Sequence, residues 1–273
     1  MSPDELAAEL THDPPPVLLD VRWRLAGPPA HEDYLSQHLP GAVFADLDAD
    51  LAGPPGERGR HPLPDPAVLQ VALRRWGLRT GVRVVAYDDA DATSAARAWW
   101  VLRWAGVDDV RVLDGGLRGW VAAGHPVTVV VPQPVPGDVV VRPGRLPIVD
   151  AEGAAALARS GVLLDARAAT RYRGEVEPID PVAGHIPGAV CAPASANVDD
   201  TGRMLSQDRL RERFAGLGVD GSQQVGVYCG SGVVAAQQVL ALTRIGVPAA
   251  LYPGSWSEWV VDGRRPVAKG ADG

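Results

Sequence analysis

The stretch VGVYCGSGVVAA, Val225–Ala236, decides the fold. An apolar segment leads through a cysteine and a glycine-bearing turn into a helix predicted over residues 233–245. Val225, Val227 and Tyr228 suit a strand buried on both faces, which need not alternate in polarity. Gly230 and Gly232 permit a tight turn whose amides converge on one centre. Ala235, Ala236, Gln237, Gln238, Leu240, Ala241 and Leu242 are mostly good helix formers. Cys229 then stands at a strand end, facing a helix N-terminus. That setting lowers a thiol from its usual ~8.5 and stabilises an anion on sulfur, a persulfide included. The same position also suits a buried structural cysteine, because cysteine is among the most buried residue types.

The composition narrows the classes. A chain of 273 residues holds one large domain or two of ordinary size. With 46% apolar and 22% charged residues it can bury a core. No apolar run reaches the ~18 residues of a membrane span. The first residues, MSPDELAAELTHDPPP, lack the basic-then-apolar pattern of a signal peptide, so a cytoplasmic location and no membrane partner are expected. Two cysteines, Cys191 and Cys229, make neither a disulfide framework nor a zinc site, and no cofactor or metal is expected. A net charge of −7 argues against nucleic acid as a partner, so any anionic substrate needs a local basic pocket.

Strand and helix patterns alternate along the chain. Residues 2–10 read as a short helix capped by Ser2 with Pro3 at its first position. Val17–Val21 reads as a strand, followed by a polar segment and the turn HLPG at His38. A loop rich in Asp, Gly and Pro covers residues 53–64, and a helix is predicted near 66–76. Residues 82–87 and 110–113 read as strands around a helix over 93–105. Such alternation implies a mainly parallel sheet covered on both faces.

The order of motifs then repeats. LLDVR from Leu18 returns as LLDAR from Leu163, 145 residues later. HLPGAV from His38 returns as HIPGAV from His185, and DGGLRGW as PGSWSEW. The strand ending in Tyr87-Asp88 returns ending in Tyr228-Cys229. The expected organisation is an α/β fold of two homologous domains, 1–128 and 147–273, joined by a proline-rich extended linker over 129–146. Asp88 stands where the second domain has Cys229. A carboxylate cannot carry sulfane sulfur, and a packing cysteine would be matched by an apolar residue rather than by aspartate. This asymmetry favours a catalytic Cys229. Cys191, flanked by Val190 and Ala192, reads as core.

The motifs LLDAR, RYRGEVEP, GHIPGA, CGSGVV and PGSWSEW resemble those of the tandem-domain rhodanese-like sulfurtransferase family, in the family's order and across nearly the whole chain. The resemblance implies two rhodanese-like domains, each a mainly parallel sheet with helices on both faces, the first inactive and the second catalytic. It implies a persulfide on Cys229, loaded from a small anionic donor and discharged to a thiophilic acceptor such as cyanide or a thiol, with a protein acceptor also open. Arg171 of RYRG matches the donor-binding arginine. Gly230, Ser231, Gly232, Val233 and Val234 form the binding loop. That loop is similar to the CGSGVT of 3-mercaptopyruvate enzymes, with Val234 for the threonine. The same enzymes carry a further arginine in an EPR segment, where this chain has Glu177-Pro178-Ile179. They also use a serine with a histidine, which Ser231 and His38 match, making His38 a candidate proton relay. His38 equally reads as a structural cap, because His185 opens the same turn. The absent second arginine tips the expectation to thiosulfate as donor, with 3-mercaptopyruvate as the alternative. A non-catalytic sulfur carrier or partner-binding protein is a further alternative. Cysteine phosphatases need an arginine where this chain has Ala235, which argues against that class.

Overall fold

The computed structural model describes residues 1–89 and 91–271. The chain forms two compact units. The first comprises Met1–Gly53, Leu63–Leu146 and Asp200–Met204. The second comprises Pro54–Pro62, Pro147–Asp199 and Leu205–Gly273, whose last two residues lie outside the described ones.

In chain order the first unit contains α1 (Pro3–Glu9), β1 (Val17–Asp20), α2 (His31–Ser36), β2 (Val43–Phe44), α3 (Leu47–Asp50) and α4 (Pro66–Arg75). It continues with β3 (Val84–Tyr87), α5 (Thr93–Trp104), β4 (Val110–Val112) and α6 (Gly116–Ala122). The second unit contains α7 (Ala151–Ser160), β5 (Val162–Asp165), α8 (Ala169–Tyr172), β6 (Val190–Cys191) and a 3₁₀ turn (Ala194–Asn197). It ends with α9 (Gln207–Ala215), β7 (Val225–Tyr228), α10 (Val233–Arg244), β8 (Ala249–Leu251) and α11 (Ser255–Trp259). The sheets run β2-β1-β3-β4 and β6-β5-β7-β8, all parallel. Every residue of β3, β5 and β7 is buried. Successive side chains point to opposite faces, so both faces of each sheet are covered.

Local chemistry sets several helix starts. In α1, Ser2 and Glu5 form a reciprocal capping box and Pro3 opens the helix. Asp65 and Asp150 cap α4 and α7. Helix α2, in the polar segment after β1, has no side-chain cap and buries Tyr34.

The sequence repeat is a structural repeat. Arg22 binds Asp20 with both its Nε and Nη2, and Arg167 binds Asp165 in the same way. Each arginine then donates to a carbonyl ahead of the HxPG turn, Gln37 in one unit and Gly184 in the other. The hydroxyls of Tyr87 and Tyr228 accept from the Leu39 and Ile186 amides. These buried ion pairs fix loops to strand ends. Removing one partner would strand a buried charge, a cost of about 3–5 kcal/mol.

The 129–146 stretch connects α6 to α7. It has no regular element, yet it is bound along the first unit. Gly137, Val139 and Arg142 donate to the carbonyls of Arg74, Leu78 and Ala105. A Cβ at Gly137 would lie 1.8 Å from the Leu78 carbonyl oxygen, so only glycine permits this approach.

Candidate active site

Strand β7 ends at Tyr228, and the chain turns through Cys229–Gly232 into α10. Gly232 adopts φ 77°, which starts the helix, and a Cβ there would lie 2.4 Å from the Pro253 carbonyl oxygen. The Gly232 amide donates to Cys229 Sγ at 3.1 Å. Val233 and Val234 begin α10, so their amides belong to the first turn, whose donors have no partners within the helix. Cys229 is 1% exposed. The sulfur is thus held at the positive end of a twelve-residue helix, where negative charge is stabilised.

The floor of this turn is the PGSWS segment. Ser255 Oγ accepts from the Cys229 amide at 3.1 Å. The Cys229 and Gly230 carbonyls accept from the amides of Trp256 and Ser257. Ser255 holds a left-handed φ of 55°, a costly conformation for a non-glycine residue that its bonds to the Cys229 amide and the Tyr252 carbonyl maintain.

The segment Pro54–Pro62 brings two more side chains to the turn. Gly59, at φ 93°, lies so close to the floor that a Cβ would stand 2.6 Å from the Gly254 carbonyl oxygen. The next amide, Arg60, donates to Ser257 Oγ at 3.0 Å. His61 Nδ1 is 2.7 Å from Ser231 Oγ, and both residues are buried. Arg60 Nη1 binds Asp180 at 2.5 Å.

Arg171, on α8, meets the same carboxylate. Its Nη2 donates to Glu177 at 2.6 Å and to Asp180 at 3.1 Å, and its Nε donates to Glu177 at 3.1 Å. Burial pushes the Glu177 carboxyl up, but hydrogen bonds from Arg171 and from the Asp180 and Ile179 amides outweigh it and hold the group below its ordinary value. A depressed folded-state value means that Glu177 adds stability above ~4.3 and loses it as pH falls through the folded value. Melting curves of wild type and Glu177→Gln from pH 7 downwards should therefore differ most near neutrality and converge only once the pH has fallen below the folded-state value. A gap independent of pH would show that Glu177 acts through packing alone.

A model of the rhodanese-like domain matches residues 2–123 and again residues 150–262. The chain belongs to the rhodanese-like family. It is 48% identical to SseB of Mycobacterium tuberculosis, provisionally named a thiosulfate sulfurtransferase, over 97% of this chain and 95% of that one. It is also 48% identical to a Pseudomonas aeruginosa protein provisionally named a 3-mercaptopyruvate sulfurtransferase, over 99% and 98%. The crystal structure of SseA from Escherichia coli, a 3-mercaptopyruvate enzyme by its description, superposes with a TM-score of 0.83 at 33% identity, covering 94% of this chain and 98% of that one.

The two rhodanese-like units differ at the cradle. In the first, Asp88 fills it with its own carboxylate, which accepts from the Ala92, Ser94 and Ala95 amides and from Ser94 Oγ. The anion site is thus internally occupied. His38 stands at a turn in that unit, fully buried, with Nδ1 2.7 Å from the Tyr34 carbonyl and Nε2 3.1 Å from that of Val130. His185 Nδ1 meets the Tyr172 carbonyl in the same way. With carbonyls facing both ring nitrogens, His38 fits the cap rather than the relay, and the histidine beside Ser231 is His61. Cys191 packs against the core from β6, and burial, then Asp165, pushes its thiol up. The rhodanese-like turn carries Cys229, Gly230, Ser231 and Gly232, and Arg171 Nη1 lies beside Gly230. Sequence reading missed Arg60, His61, Asp180 and Ser255. The one available signal was an adjacent Arg-His pair inside a glycine- and proline-rich loop. Among the described residues no group of three His, Cys, Asp or Glu side chains could hold a metal, and no helix is long and apolar enough to cross a membrane.

Proposed function

We propose that the chain is a sulfurtransferase that carries sulfane sulfur as a Cys229 persulfide. The observation that supports this best is the amide of Gly232 on Cys229 Sγ at the start of α10, with the Asp88 carboxylate filling the equivalent cradle. The Cys229 thiolate attacks the sulfane sulfur of a small anionic donor, and the persulfide then passes that sulfur to cyanide or a thiol, a small or protein-borne one. With thiosulfate, the S–S bond breaks and its electron pair leaves on sulfite, so no proton is needed. With 3-mercaptopyruvate, the C–S bond breaks, the pair goes to carbon, and the proton of the donor thiol ends on pyruvate. The E. coli relative's name points to the second donor, and the two relatives at 48% identity divide between them.

Ile179 in place of a second arginine favours thiosulfate. The contact between Ser231 and His61 favours 3-mercaptopyruvate, because a hydroxyl–imidazole pair two residues from the nucleophile can move the proton that only this donor requires. The geometry weighs towards 3-mercaptopyruvate. Steady-state rates with both donors and cyanide as acceptor test this. A kcat/KM for 3-mercaptopyruvate about tenfold or more above that for thiosulfate is expected. A preference for thiosulfate would reverse the assignment of donor. Absence of thiocyanate with either would point to a non-catalytic carrier.

A further inference from the structure

We infer that the first unit carries a binding site for a small phosphate-bearing molecule, in a groove at the end of its sheet where β3 and β4 begin. The inference goes beyond sulfur transfer and does not depend on it.

The groove has a volume of about 310 Å³. Asp88 and the cradle it fills follow the other end of β3, so the groove is separate from that site. Val82, Val107 and Val139 form an apolar part of the lining, and the last two are buried. Arg79, Arg142 and Arg145 line the same groove and are exposed. Their guanidinium groups have no partner among the described residues. Their main chains are nevertheless fixed. The Arg142 and Arg145 amides donate to the Ala105 and Trp104 carbonyls at 2.8 and 3.2 Å. Gly106, at φ 92°, lets the Arg142 segment pass close by, since a Cβ there would stand 3.1 Å from the Arg142 carbonyl oxygen. The Arg79 carbonyl accepts from the Val82 amide at 3.2 Å, which closes a tight turn. Two anchored segments thus hold three uncommitted guanidinium forks around one depression.

Local charge selects the ligand class. Two carboxylates also line the groove. Asp109 is already engaged, accepting from Arg83 Nε at 2.6 Å and from Arg111 Nε at 3.2 Å. Asp108 is the other. Asp138, outside the lining, accepts from the Thr80 amide. Three uncommitted guanidinium groups against the Asp108 carboxylate leave the lining an excess of two positive charges, in a chain whose net charge is −7. A phosphoryl group carries about −1.5 to −2 near neutral pH and presents three acceptor oxygens to such forks. A single carboxylate would balance only half of the excess. The volume lies at the lower end of the roughly 300–1,000 Å³ of small-molecule sites, which suits a diphosphate or a nucleoside phosphate.

Calorimetric titration of the full chain with inorganic pyrophosphate and with ADP, both without divalent cations, tests the site. Saturable binding of at least one probe with Kd below about 1 mM is expected. Tighter binding of ADP would assign the apolar lining to a nucleoside, and equal or tighter binding of pyrophosphate would assign the groove to a free diphosphate; either supports the site. Arg142→Ala and Arg145→Ala should each weaken binding about tenfold or more, because each removes a charge-assisted hydrogen bond. Both side chains are exposed, so the fold should survive, and sulfur transfer should be unaltered. Arg171→Ala, which removes a guanidinium beside Gly230, should leave the affinity unchanged. No saturable binding of either probe, or binding that survives in both groove variants, would overturn the inference. Binding lost in Arg171→Ala but kept in Arg142→Ala would place the anion at the Cys229 turn and overturn it equally.

Discussion

Cys229→Ser is expected to abolish sulfur transfer, while Cys191→Ser retains most of it. The serine oxygen can occupy the turn and accept from the Gly232 amide, so the fold should survive. It cannot hold a sulfane sulfur, because the chemistry needs a sulfur–sulfur bond that forms and breaks readily. A serine hydroxyl is also a far weaker nucleophile than a thiolate. Cys191 has no comparable setting. It lies on the edge strand β6, and burial and Asp165 both work against its thiolate. Intact-mass spectrometry after donor treatment should show one added sulfur atom on wild type and on Cys191→Ser, and none on Cys229→Ser. Turnover retained by Cys229→Ser would refute the mechanism outright.

The second large effect concerns His61. His61→Ala is expected to lower kcat for 3-mercaptopyruvate by about 10²–10⁴-fold, the usual range for losing a positioned acid–base group. Ser231→Ala should give a comparable loss, because the imidazole acts through the hydroxyl it touches at 2.7 Å. The double variant should cost little more than either single one, as for residues that act as a unit. Thiosulfate turnover should suffer far less, since sulfite departs without a proton. His38→Ala should instead reduce stability, through loss of the bond to the Tyr34 carbonyl, and leave the donor ratio unaltered. Equal losses on both donors in His61→Ala would show that the ring supports the turn and moves no proton.

Much of the molecule is local in origin and was legible for that reason. The apolar run at Val225, the glycine at 232 and the helix formers after it dictate strand, turn and helix through near-neighbour sterics alone. The same holds for the capping box at Ser2 and for the paired Asp20–Arg22 and Asp165–Arg167 motifs. The repeat then placed Asp88 opposite Cys229, and the carboxylate in the first cradle gives that substitution its physical content: an anion site filled by a fixed anion. Repetition also misdirected. HLPG and HIPG recur because each opens with a histidine that ties down a turn, and that shared role drew attention to His38. Only tertiary packing decided which histidine meets Ser231, 170 residues further along the chain. Nothing in the local pattern of GERGRHP distinguishes it from any polar loop. Its place is set by non-local contacts, Gly59 against the Gly254 carbonyl and the Arg60 amide on Ser257, and these exist only once the second unit has formed around Pro54–Pro62. Cys229 and the turn that holds it are therefore local and legible in the sequence, while the neighbours of that turn depend on contacts between residues far apart in the chain.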